Sequence, residues 1–92
     1  MKIAIIGYSG SGKSTLAEKL GSKYNAEVLH LDTVQFMPGW EIRPAEEQEG
    51  IVSEFMAVHT SWVIDGNYSK LLYDRRMEEA DVIIELVFDR IR

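Results

Sequence analysis

Residues 7–14 read Gly7-Tyr8-Ser9-Gly10-Ser11-Gly12-Lys13-Ser14, and no other stretch limits the fold of this chain so strongly. The run Ile3-Ala4-Ile5-Ile6 leads into it. That run is continuously apolar rather than alternating, so it reads as a strand buried on both faces. Beyond the glycines, Leu16, Ala17, Leu20 and Tyr24 fall at helical spacing, which predicts a helix over roughly Lys13–Tyr24 with one buried face. A strand that turns through glycines directly into a helix is a phosphate-binding loop. Gly7, Gly10 and Gly12 let backbone N–H groups converge on one point, some in conformations that a side chain penalises. The free N–H groups and dipole of the helix N-terminus favour an anion at the same place. Lys13 is expected to set a compact positive charge on the β- and γ-phosphates of ATP or another nucleoside triphosphate. The Ser14 hydroxyl is expected to ligate Mg²⁺ and Thr15 to donate to the α-phosphate, with Ser9 and Ser11 as further parts of the nucleotide-binding loop.

The rest of the chain alternates strand and helix. A second strand is expected over 27–31, then a loop with turn chemistry at Pro38-Gly39. Pro44 opens a helix whose N-terminal end Glu46, Glu47 and Glu49 complement, and whose buried face is Ile51, Val52, Phe55, Met56 and His59. A short strand over 62–65, a helix over 69–79 and a strand over 81–88 complete the series. Such alternation implies right-handed crossovers and a parallel sheet with helices on its faces.

At 92 residues the chain fits one domain, residues 1–92, at or below the usual range of about 100–200. With no cysteine it has neither a disulfide framework nor a thiolate metal site, so its core must rest on its apolar residues, 46% of the total, or on a partner. The apolar runs are too short to span a bilayer, and Met1-Lys2 leads into a phosphate loop rather than a cleavage site. Both points predict a cytoplasmic protein. The formal net charge of −5, with scattered Lys and Arg, makes nucleic acid an unfavourable partner.

Two carboxylates stand where ligands gather in open parallel sheets, at the carboxyl ends of strands. Asp32 follows the second strand and is expected to hold a Mg²⁺-bound water or to accept the proton of a substrate hydroxyl; the bland alternative is a turn Asp. Asp65 ends Trp62-Val63-Ile64-Asp65-Gly66-Asn67-Tyr68, an arrangement that holds the Mg²⁺ shell, and Gly66 would let the backbone pass close to a ligand. Arg75 or Arg76 is expected either to grip a substrate anion in catalysis or to form a solvated face paired with Glu78 or Glu79. Trp40 and Arg43 are candidates to line an acceptor pocket with Gly66, Asn67 and Tyr68; the alternative for Trp40 is core or loop packing. His30 and His59 lack a metal-ligand partner at suitable spacing and read as packing or capping residues.

Together the loop over 7–15, Leu31-Asp32, Pro38-Gly39-Trp40, the stretch 62–68 and the strand over 81–88 resemble the phosphate-loop small-molecule kinases related to adenylate kinase. More closely, they are similar to the bacterial proteins labelled DNA topology modulation proteins. The resemblance implies a P-loop NTPase fold of nucleotide-kinase type, with about four parallel strands in the order 2-3-1-4 and flanking helices. It also implies that the chain stops before the lid arginines and fifth strand of such enzymes. Arginine stabilisation of this kind is worth on the order of 10³–10⁵ in rate, so binding is expected here and efficient turnover is not. Asn67 and Tyr68 stand where adenylate kinases have Phe and Pro, so an AMP acceptor does not follow.

The leading expectation is an ATP- and Mg²⁺-dependent phosphotransferase acting on an unidentified small-molecule acceptor. The alternatives are a nucleotide-binding regulatory module acting through a protein partner and a DNA-topology-associated protein. In the implied strand order the fourth strand is an apolar edge, which invites a homodimer through that edge.

Overall fold

The computed structural model of the chain describes residues 1–8, 12–39, 41–67 and 70–86. In chain order the elements are β1 (Lys2–Gly7), α1 (Lys13–Tyr24), β2 (Glu27–His30), α2 (Leu31–Gln35), β3 (Phe36–Met37), β4 (Glu41–Ile42), α3 (Ala45–Val58), β5 (Trp62–Gly66), α4 (Tyr73–Glu79) and β6 (Val82–Leu86). Four of the strands form one parallel sheet in the order β2-β5-β1-β6. Counted along the chain, this is the expected order 2-3-1-4.

The two central strands, β1 and β5, are buried almost throughout, because neither carries a polar face to turn toward water. Their side chains alternate between two cores. Ala4, Trp62 and Ile64 pack on one face with Leu31 and Val34 of α2 and Val52 and Met56 of α3. Ile3, Ile5 and Val63 pack on the other with Ala17 of α1. Within α1, Lys13, Ala17 and Gly21 are buried at intervals of four and share the face turned to the sheet. The approach is close at Gly21, where a Cβ would stand 2.3 Å from Val28 Cγ2 and 3.1 Å from the Ala26 carbonyl oxygen.

Where 32–35 was expected to be loop, the chain forms the single helical stretch α2, held by burial of Leu31 and Val34. A two-residue hairpin follows, pairing Phe36 with Ile42 and Met37 with Glu41 around the Pro38-Gly39 turn. Gly39 takes φ 84°, which favours glycine there. The helix expected over 69–79 is described as α4 only from Tyr73. Ile51 is exposed on α3, so the buried stripe of that helix is narrower than expected. β6 lies at the sheet edge with Val82 and Ile83 exposed, while residues 87–88 of the expected strand lie outside the described residues. Among the described residues no helix is long and apolar enough to cross a membrane.

Candidate functional site

The carboxyl ends of β1, β2 and β5 meet the N-terminus of α1, and two of the three buried charged side chains among the described residues, Lys13 and Asp65, lie there. Gly12 precedes α1 with φ 88°, the left-handed conformation expected of a glycine in this loop. Among the described residues no side chain caps α1, and its first turn carries no acid. Its N–H groups and the positive end of its dipole are therefore left for an anion. Lys13 begins the helix and is 5% exposed, while Ser14 and Thr15 are exposed beside it. Gly7 ends β1. Ser9, Gly10 and Ser11 lie outside the described residues, as do Trp40 and Tyr68.

Asp65 is the buried carboxylate of the site, its side chain 3% exposed. The alternation that sends Val63 to the α1 face of the sheet sends Asp65 there too. In β2 the same phase puts Val28 and His30 on that face, and the parallel register sets His30 opposite Asp65. His30 accordingly bridges two acids. Its Nδ1 bonds Asp65 Oδ2, and its Nε2 lies 2.6 Å from Oε2 of Glu18 on α1. Burial pulls the imidazole pKa down, but the hydrogen bonds to Glu18 and Asp65 and their negative charges outweigh it, so His30 stands above the ordinary histidine value. Asp65 stands above the ordinary carboxylate value, chiefly because it is buried. His30 and Lys13 pull it down, and Asp32 pushes it up. Lys13, Asp32, His30 and Asp65 are thus one electrostatic cluster.

No role at the site was expected of His30. The signal was nonetheless available: once β2 and β5 are taken as neighbours, aligning their carboxyl ends places His30 beside Asp65.

Asp32 occupies the first turn of α2 and is exposed. With Asn67 it lines an open cavity of about 780 Å³, whose remaining walls are Thr33, Phe36, Met37, Pro38 and Gly39. The hairpin residues came from a segment read only as a loop, so most of this wall was not foreseen.

Four expected site residues are placed differently. The close neighbour of Gly66 is Leu31, whose Cδ1 would lie 2.5 Å from an added Cβ, so this glycine makes room for the core. Arg43 donates from Nε to the Val34 carbonyl at 2.8 Å, tying the hairpin to α2. Arg75 pairs with Glu79 at 2.8 Å and reaches the Ser53 hydroxyl of α3 at 2.7 Å, which is the helix-face role. Arg76 is 0% exposed, donates from Nε to the Leu71 carbonyl at 2.9 Å and lies over the Tyr73 ring. Burial lowers its pKa from the ordinary arginine value. In these contacts Arg75 takes the paired helix-face placement, and Arg76 lies in the core and not on a solvated face.

No protein-family model matches the chain. It is 40% identical over 87 residues to a tRNA dimethylallyltransferase of Corynebacterium diphtheriae, covering 90% of this chain and 27% of that protein. A protein of Sulfurisphaera tokodaii provisionally named adenylate kinase is 31% identical over 88 residues, 96% of this chain and 41% of its own length. The tRNA dimethylallyltransferase of Saccharomyces cerevisiae is 35% identical over 80 residues, 83% of this chain and 17% of that protein. The chain therefore spans less than half of each of these relatives. With the sheet order and the loop-to-helix junction at Lys13, the likeness assigns an α/β fold of the P-loop NTPase class.

Proposed function

We propose that this chain binds a nucleoside triphosphate, ATP in the simplest case, and serves phosphoryl transfer of the nucleoside or nucleotide kinase type. The observation that carries the reading is the N-terminus of α1, acid-free in its first turn and without a side-chain cap among the described residues, with Lys13 buried at its first position beside Asp65. The same reading sets the chain beside the bacterial proteins labelled DNA topology modulation proteins.

The Ser14 hydroxyl and the Asp65 carboxylate are hard oxygen donors, so the residues fit Mg²⁺, which takes few protein ligands and keeps much of its water. When bound, that ion neutralises charge on the β- and γ-phosphates. Lys13 supplies positive charge to the same oxygens, and His30 fixes the orientation of Asp65. In the transfer step the acceptor hydroxyl oxygen forms a bond to the γ-phosphorus. The bond from that phosphorus to the β–γ bridging oxygen breaks, the hydroxyl proton passes to Asp32, and the nucleoside diphosphate leaves.

Calorimetric titration of the chain with ATP and Mg²⁺ tests the nucleotide site. Lys13→Ala is expected to weaken binding by about tenfold to a hundredfold, the worth of one charged contact. An unchanged affinity in that variant would sink the reading.

The names of the relatives favour a second reading, a transferase acting on tRNA. The net charge of −5 argued against nucleic acid, but it describes the whole chain and not one face of it. Titration with labelled tRNA at about 0.1 M salt decides this, and absence of binding rejects it. The exposed edge of β6 adds a proposal of self-association. Ile83→Lys is expected to shift sedimentation from dimer to monomer, and a parent chain that already sediments as a monomer would refute it.

A further inference from the structure

The cavity beside Asp32 has an uneven chemistry. Its described wall carries one charged side chain, the exposed Asp32 carboxylate, and no lysine or arginine. The nearby cations have other placements. Lys13 is buried beside Asp65, Arg43 is tied to the Val34 carbonyl, and Arg75 is tied to Glu79 and Ser53. Arg76 is in the core, and Lys70 lines a separate, smaller cavity. Among the described residues, a phosphate entering the larger cavity would meet a like charge in Asp32 and no arginine fork in the wall to hold it.

The other wall residues favour a different ligand. Phe36 lines the cavity with 38% of its surface exposed, and Met37 and Pro38 extend that apolar surface, against which a flat ring can pack. Asn67 also lines the cavity and adds a neutral polar side chain to its wall. The Thr33 hydroxyl gives its proton to the His30 carbonyl at 2.7 Å, so its oxygen can only accept. A volume of about 780 Å³ lies within the range of small-molecule sites.

We infer that this cavity takes an uncharged, ring-bearing hydroxyl compound, a nucleoside and not a nucleoside monophosphate, and presents its hydroxyl to Asp32. The inference deepens the kinase reading, on which the transfer step rests, but selectivity in binding belongs to the cavity alone. A like charge built into the wall excludes the phosphorylated analogue, and the apolar surface retains the ring.

Ligand-observed NMR titrations test it, with adenosine, guanosine, cytidine and uridine each run against its own 5′-monophosphate on the 92-residue chain. ATP with Mg²⁺ is titrated in parallel by calorimetry. At least one nucleoside is expected to bind, with its monophosphate weaker by about tenfold or more. Asp32→Asn, an isosteric change at an exposed position, is expected to narrow that gap to about threefold or less. Phe36→Ala is expected to weaken the nucleoside by about tenfold. Far-UV circular dichroism checks that this variant folds, and Asp32→Asn carries the test if it does not. A monophosphate that binds as tightly as its nucleoside overturns the inference, as does a gap that Asp32→Asn leaves unchanged. If no nucleoside binds while ATP still does, the inference fails and the kinase reading stands. If a nucleoside binds with the expected preference and ATP does not, the kinase reading fails and the cavity assignment stands.

Discussion

Two carboxylates lie at the carboxyl ends of neighbouring strands, and their surroundings make different reagents of them. Asp65 points from the sheet centre toward α1, is almost wholly buried, bonds His30 and holds its proton more tightly than an ordinary carboxylate. Asp32 has been lifted off the sheet into the first turn of α2 and faces an open cavity. Residue type and position along the strand are nearly the same in both. Packing is what separates them, since a buried acid is held in place by its partners and an exposed one is available to a ligand. Strand-end placement alone therefore marks a candidate site without dividing the labour inside it.

The sharpest way to break this contrast is to remove each carboxylate in turn and follow stability by urea unfolding. Asp65→Ala strips His30 of one acid and leaves Lys13 buried without its neighbour, for an expected loss of about 2–4 kcal/mol. Asp32→Ala is expected to stay within about 0.5 kcal/mol of the parent. Equal losses would mean that the two positions do not differ in kind.

A smaller effect sharpens the role of the packing between them. A Cβ at Gly66 would stand 2.5, 3.0 and 3.1 Å from Cδ1, Cγ and Cβ of Leu31, the residue that precedes Asp32. Gly66→Ala is expected to cost about 1–3 kcal/mol through overpacking. In a double-mutant cycle with Leu31→Ala, the two changes should depart from additivity by about 1 kcal/mol. Simple additivity would show that the β5 end and the start of α2 are not coupled.

The smallest effect concerns the outer acid. Glu18 is 66% exposed, so Glu18→Gln is expected to change stability by less than about 0.5 kcal/mol. A loss as large as that of Asp65→Ala would mean that Glu18, His30 and Asp65 act as one unit, and the contrast would have to be redrawn around three residues.

Much of this architecture is legible in the residue pattern. The span of α1 follows from the helical spacing of Leu16, Ala17 and Leu20, and the buried β1 from an apolar run without alternation. The helix α2 is harder to read, because Leu31 and Val34 make one turn, too little for a period to register among β-branched neighbours. The strands of the hairpin have two residues each, below the length at which alternation exists. Arg76 misled for another reason. Tyr73, Arg76, Met77 and Ala80 fall on one helical stripe, so spacing turned Arg76 inward, but its charge argued for the surface. His30 takes its role from residues 12 and 35 positions away, and only strand order and register bring those together.

The contact at Gly21 has a further consequence. This residue seats α1 directly on Val28, with no room for even a methyl group between helix and strand. At one end of that helix is Lys13, where the phosphates are proposed to rest, and the strand beneath it runs on to Asp32. The gauge between donor and acceptor is thus machined far from either, at a point where no reactant arrives. A larger residue there would leave Lys13 and Asp32 chemically intact and still spoil their alignment, much as a shim slipped under one rail puts both ends of a track out of true.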